Sequence, residues 1–166
     1  MDKELLRNYD ENTPTFSLKG LKTYGRIVNV IDGDTVDIVI PFFNGEHFYK
    51  ISTRLIGIDT CEIHSHNDKI KEKGLQAKSR LIELLLNEDI IEVTNKKQIK
   101  QIFNDKVIVV WVECNDFDKY GRLLANIYLD KESQSISEIL VKENLAYRYD
   151  GSTKLTEEEQ IEKFHI

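Results

Sequence analysis

Three short stretches of this 166-residue chain hold acids and arginines of the types that could act together. They are Asp32-Gly33-Asp34-Thr35, then Arg54 with Asp59-Thr60-Cys61-Glu62, then Asp118-Lys119-Tyr120-Gly121-Arg122. If the three meet, carboxylates from Asp34, Asp59 and Glu62 face the guanidinium groups of Arg54 and Arg122. Carboxylates gathered together repel and must take up protons or a cation. Their oxygens are hard ligands, which points to Ca²⁺ or Mg²⁺ rather than Zn²⁺. Two arginines beside such a cation suit a phosphate, since each grips its oxygens bidentately and offsets charge that builds in the transition state. A further carboxylate, one water away, could orient or deprotonate that water for in-line attack.

Each stretch, taken singly, has a plainer reading. Asp-Gly-Asp is most often only a turn, and Asp118–Gly121 suits a hairpin connection equally well. Arg54 on a strand could pair with an acid for structural reasons alone, and Glu62 could cap whatever follows it. Only their order and spacing together favour a site.

The elements that must carry these residues are short. Tyr24–Ile31 and Thr35–Ile40 are rich in Val and Ile on either side of Asp32-Gly33-Asp34, a strong hairpin signal because Gly tolerates the positive φ of tight turns. Counting by twos, Asp34 shares the parity of Val36 and Ile38 and is placed to point with them toward a barrel mouth. A third strand is predicted over His47–Ile58. His64–Lys73 is polar, and Ala77, Leu81, Leu84 and Leu85 then mark one face of a helix over Leu75–Leu86. Ile90–Val93 reads as a short strand and Asn95–Lys106 as a lysine-bearing surface loop. Strands are expected again over Val107–Val112 and Arg122–Leu129. Ser135 with Glu138, and Thr156 with Glu159, form capping boxes that open two further helices. The sum is an α+β fold, a five-stranded OB-type β-barrel with about three helices. Residues 1–20 form an N-terminal extension, and one domain covers 21–166.

Composition narrows the function classes. With 40% hydrophobic and 31% charged residues the chain can bury a core, and no run approaches the ~20 apolar residues that cross a membrane. A net charge of −6 argues against coating nucleic acid by bulk electrostatics, while leaving room for a local cationic site. Two cysteines allow at most one disulfide, so no secreted-type framework exists. No basic-then-apolar leader follows Met1, and an intracellular monomer is the expectation.

The three stretches together resemble the staphylococcal nuclease (thermonuclease) family, over about Leu21 to the C-terminus. A fourth stretch, Glu138–Val141 running to Leu145-Ala146-Tyr147, is similar to the family's second helix and its exit. The resemblance implies Asp34 and Asp59 as Ca²⁺ carboxylates and Thr60 as a ligand through its carbonyl. It implies Glu62 as the proposed general base, Arg54 and Arg122 on the scissile phosphate, and Lys119 and Tyr120 on the nucleotide's phosphate and sugar. Tyr147 and Tyr149 are candidate faces for unpaired bases, or else core. The implied reaction breaks the P–O5′ bond of DNA or RNA, preferably single-stranded or frayed, leaving 3′-phosphate and 5′-hydroxyl ends. On this basis Arg54→Ala and Glu62→Ala should lower turnover severely and leave the fold intact.

Some features depart from the family. Cys61 stands where a proline is usual, which loosens the backbone before Glu62. The acidic net charge also differs from the strongly basic founding member. One alternative is a non-catalytic OB module that binds nucleic acid or protein. Another is a zinc site from Cys61, His64, His66 and Cys114, although Cys-x-x-His-x-His is not a common zinc spacing.

Overall fold

The computed structural model describes residues 3–88 and 95–166. Five strands close into a barrel in the order β1-β2-β3-β6-β5, with β1 Lys22–Asp32, β2 Thr35–Phe42, β3 His47–Leu55, β5 Ile108–Phe117 and β6 Leu123–Tyr128. All neighbours run antiparallel except β3 and β6, which are parallel and register Thr53 with Leu123 and Arg54 with Leu124. That pairing sets the end of β3 beside the start of β6. Arg54 and Arg122, 68 positions apart in the chain, are thereby brought to one end of the barrel.

Alternation along β2 buries Val36, Ile38 and Ile40 and leaves Asp37 and Val39 half-buried. In β1 the register slips between Ile27 and Asn29, a bulge that lets both Ile27 and Val30 face the core although they are three apart. Val110 and Val112 of β5 and Leu123, Ala125 and Ile127 of β6 complete the filling.

The third strand is shorter than the sequence suggests. It ends at Leu55, the chain turns through Gly57 at φ 81°, and Ile58–Asp59 forms a separate strand, β4. β4 leaves the barrel and pairs with β7, Tyr147–Arg148, with Asp59 opposite Tyr147.

Helix α1 spans Asp68–Leu86 and so begins two turns before Leu75. Asn67 caps it by accepting from the backbone N–H of Lys69 and Ile70, and the buried stripe includes Ile70, Gly74, Ala77 and Leu81. The expected strand Ile90–Val93 lies outside the described residues. The lysine-bearing segment is not a loop but helix α2, Lys96–Asp105, capped by Asn95. It buries Ile99 and Phe103, four apart, against the barrel and turns Lys96, Lys97 and Lys100 to solvent. With α3 (Ile136–Lys142) and α4 (Glu157–Phe164), the described residues hold four α-helices rather than about three. Thr156 and Glu159 make the full capping box of α4. At α3 Ser135 accepts from Glu138 N–H, while the Glu138 carboxylate accepts from the Gln134 side chain.

Ahead of β1, a 3₁₀ turn covers Lys3–Asn8. Phe16 then stacks between Phe42 and Phe117, Leu18 is buried, and Gly20 N–H donates to the Cys114 carbonyl at 3.0 Å.

Candidate active site

The Asp32–Asp34 turn owes its glycine to crowding, not to a left-handed backbone. Gly33 does not adopt a positive φ, but a Cβ there would come within 2.8 Å of Ala77 Cβ and 3.0 Å of Thr60 Oγ1. Only glycine lets the turn, helix α1 and Thr60 approach so closely. Lys78 of α1 fastens the same junction, donating to the Ile31 carbonyl at 2.8 Å.

Arg54 lies at the centre, 7% exposed. Its Nη1 is 2.7 Å from Asp34 Oδ2, and its Nη2 donates to Asp59 Oδ1 and, at 3.2 Å, to the Ile58 carbonyl. The remaining carboxylate oxygens are engaged as well. Thr35 Oγ1 donates to Asp34 Oδ1 at 2.8 Å, and Tyr147 OH donates to Asp59 Oδ2 at 2.5 Å. Burial drives the Asp34 carboxyl well above its ordinary range, Asp32 and Asp59 push the same way, and Arg54 pulls it only part of the way back. Burial also opposes the charge on Arg54, but Asp34 and Asp59 outweigh it and hold the guanidinium firmly protonated.

Asp118 organises the third stretch. Its Oδ1 accepts the backbone N–H of Tyr120 and of Arg122, both at 2.9 Å, and its Oδ2 accepts Arg122 Nε at 2.8 Å. Gly121 closes the turn at φ 81°, donating to the Asp118 carbonyl at 3.0 Å. Burial works to raise the Asp118 carboxyl, but these hydrogen bonds win and hold it below its usual range. Tyr120, 73% exposed, has two cations near its ring, with Lys119 Nζ 5.1 Å and Arg122 Cζ 5.6 Å from its centre.

These parts meet. A cavity of about 90 Å³ is lined by Asp32, Asp34, Arg54, Asp59, Thr60, Cys61, Glu62, Arg122 and Lys154. Arg54, Arg122 and Lys154 also line a second cleft of about 500 Å³ with Asp118, Lys119, Tyr120 and Tyr149. Nine of the ten residues singled out from the sequence line one cavity or the other. Tyr147 does not. It is 3% exposed, its ring lies 6.2 Å from that of Phe164, and it lends its hydroxyl to Asp59 instead of offering a stacking face. Burial, then Asp59, raises that hydroxyl far above its ordinary range, so it stays a donor. Tyr149 lines the larger cleft, with Arg54 Cζ 5.9 Å from its ring centre.

Sequence reasoning gave Asp118 no role of its own and missed Lys154 altogether. Lys154 Nζ stands 3.0 Å from Asp59 Oδ1 and 3.1 Å from Glu62 Oε1. Burial lowers its affinity for a proton, and the two carboxylates more than restore it. A lysine on an otherwise unremarkable polar run carries no motif, so only the tertiary fold identifies it. Asp118 did carry a signal, an acid three residues before a turn glycine.

Among the described residues, no three His, Cys, Asp or Glu side chains form a ready-made cage for a metal ion. The two thiols sit in different clusters, Cys61 with Ile70, Tyr147 and Phe164 and Cys114 in the barrel core, and burial pushes each up to about 11. His64 and His66 are exposed. The acids around the small cavity fall short of such a cage as well, but their donors are all oxygen, the type that a hard divalent cation takes. Four carboxylates (Asp32, Asp34, Asp59, Glu62) face three cations there; burial first, and then the neighbouring acids Asp32 and Asp59, raise Asp34, and a bound divalent ion would favour its charged form.

Comparison with known proteins adds an independent line. A family model described as staphylococcal nuclease homologue matches residues 52–165, a span that contains the second and third stretches and leaves Asp34 before it. The chain is 35% identical over 138 residues to an uncharacterized protein of Methanocaldococcus jannaschii, covering 81% of this chain and 63% of that one. It is 30% identical over 150 residues to endonuclease YncB of Bacillus subtilis, covering 86% and 59%. It is 32% identical over 127 residues to the SPbeta prophage-derived endonuclease YokF of the same bacterium, covering 75% and 34%. The chain therefore spans less than two thirds of the length of each of these relatives.

Proposed function

This chain belongs to the staphylococcal nuclease homologue family, and on that premise we propose that it is a calcium-dependent, sugar-nonspecific nuclease. It hydrolyses the P–O5′ bond of DNA and RNA, on single strands or frayed duplex, as a monomer. The observation that carries this reading is the gathering of Asp34, Arg54, Asp59, Thr60, Glu62 and Arg122 around one cavity of about 90 Å³.

Each residue has work to do there. Arg54 and Arg122 reach the phosphodiester from two sides, and their fixed charges are worth most where the phosphorane-like transition state gathers negative charge. Glu62 orients the attacking water and accepts its proton. As that water's oxygen bonds to phosphorus, the P–O5′ bond breaks and O5′ leaves as a hydroxyl once it takes up a proton, with the phosphate staying on the 3′ side. Lys119 and Tyr120 on the larger cleft take the neighbouring phosphate and sugar, and Tyr149 offers its face to an unpaired base. Asp34, Asp59 and the Thr60 carbonyl would hold the calcium ion. When bound, that ion supplies Lewis-acid stabilisation of phosphate charge.

Cleavage of single-stranded DNA and RNA, with added Ca²⁺ against chelator and with end-group analysis of the products, tests the proposal. The expected result is Ca²⁺-dependent cutting that leaves 3′-phosphate ends. Intact substrates at ample Ca²⁺, with nucleic acid still bound, would leave a binding module in its place.

A further inference from the structure

We propose that Lys154 is a positioning residue of the active site, the tether that holds the Glu62 carboxylate in place against the phosphodiester. The inference rests on the nuclease reading above for the role of Glu62.

Glu62 needs such a tether. Its side chain is 66% exposed, and Lys154 is the one side chain among the described residues that hydrogen-bonds to it. Its backbone lacks the proline expected before it, yet it is far from loose. Cys61 is buried, and α1 packs so tightly on this loop that a Cβ on Gly74 would collide with the Cys61 carbonyl oxygen. The backbone is thus fixed by packing, while the side chain projects into solvent with several rotamers open to it. An unconstrained glutamate would spend little time in the one rotamer that serves an attacking water.

Lys154 is itself held on both sides. Leu155 N–H donates to Tyr147 OH at 3.3 Å, and the Leu155 carbonyl accepts from Gln160 Nε2 at 2.9 Å. The next residue, Thr156, is the cap of α4. On the other side, Asp150 accepts both the N–H and the hydroxyl of Ser152, at 2.9 and 2.6 Å. Tyr147 OH, which anchors Leu155, also donates to Asp59, and Lys154 Nζ bonds the other oxygen of that carboxylate. One lysine therefore spans Asp59 and Glu62, so the exposed carboxylate is referenced to the buried one.

The test compares Lys154→Met and Lys154→Arg in the full chain. Lys154→Met should lower kcat about 10- to 100-fold, the scale of a misplaced catalytic group, with KM within about twofold of the parent and Lys154→Arg recovering most of the loss. In a Glu62→Gln background, Lys154→Met should cost much less than in the parent, since a tether of Glu62 matters only through the carboxylate it holds. Full-rate Lys154→Met, a raised KM at unchanged kcat, or an equal loss in the Glu62→Gln background would each overturn the proposal, the second by making Lys154 a phosphate ligand. If the parent cuts no nucleic acid, it is the nuclease reading that fails. The tether is then still read by carbon relaxation of the Glu62 methylenes, which should be more ordered in the parent than in Lys154→Met. Equal order overturns it.

Discussion

Arg54 and Arg122 have the same guanidinium and the same proposed substrate, but they are held in opposite ways. Arg54 belongs to the floor of the site, on a barrel strand, 7% exposed, locked between Asp34 and Asp59. Arg122 belongs to the rim, as the last residue of the five-residue turn between β5 and β6, with its side chain 29% exposed and one carboxylate, Asp118, as partner. The floor is part of the protein's interior electrostatics, so its chemistry and its stability cannot be separated. The rim is an attachment that could be altered with little effect on the barrel.

The largest effect should therefore come from Arg54→Ala. Removing it leaves two carboxylates buried and facing each other, a loss on the order of 3–5 kcal/mol for breaking a buried ion pair. The sequence-based expectation of an intact fold is corrected on this ground. Denaturant unfolding should show a stability loss together with the loss of cleavage, and Arg54→Lys should recover little, because an ammonium cannot reach both acids in the fork geometry.

Arg122→Ala is the counterpart that sharpens the contrast. Turnover should fall roughly 10²–10³-fold, the usual scale for losing one transition-state donor, while stability changes by no more than about 1 kcal/mol. Single-turnover cleavage beside a melting curve measures both. A variant cutting at the parent rate would remove the phosphate-clamp assignment.

Tyr147→Phe probes the floor without touching a charge. It strips Asp59 of a buried donor, which typically costs about 1.5–3 kcal/mol for a hydrogen bond to a charged group, and it also releases the anchor of Leu155. Thermal unfolding should register the loss. A change of under half that size would mean that water replaces the hydroxyl freely and that the floor is wetter than its burial implies.

The smallest effect concerns acid. The Asp118 carboxyl is held low, against burial, by its bonds to Arg122 and Tyr120. Its contribution is therefore complete above the ordinary aspartate value of about 4 and is lost as pH falls through the lower folded value. Melting curves taken from pH 5 down to 3 should show a component of at most about 1 kcal/mol that Asp118→Asn lacks. An identical pH dependence in parent and Asp118→Asn would show that the turn is held by its backbone alone.

Much of this was legible before any coordinates, for identifiable reasons. Runs rich in Val and Ile mark β1, β2 and β5, and Thr156 with Glu159 marks the start of α4, because these signals are local. Where the reading failed, tertiary contact had overridden local pattern. Residues 95–106 look like a solvated lysine loop, and only Ile99 and Phe103, buried against the barrel, make them a helix. His47–Ile58 looks like one strand, but β3 stops at Leu55, the chain turns through Gly57, and Ile58 passes with Asp59 into β4 against β7. Tyr147, a candidate base-stacking face or else core, is core, and its hydroxyl is consumed as a donor to Asp59.

By itself, the sequence determined which groups are available, since acid, arginine and glycine identities follow from residue type, and it determined the barrel, since strand and turn propensities act over a few neighbours. Only the tertiary structure decided who meets whom. The parallel pairing of β3 with β6 brings Arg122 to Arg54, the fit of Gly33 against Ala77 and Thr60 brings Asp34 to Asp59, and the anchoring of Leu155 by Tyr147 brings Lys154 to Glu62. The reason is physical. Charge–charge and packing energies depend on distance in space, and separation along the chain does not set that distance until the core has closed.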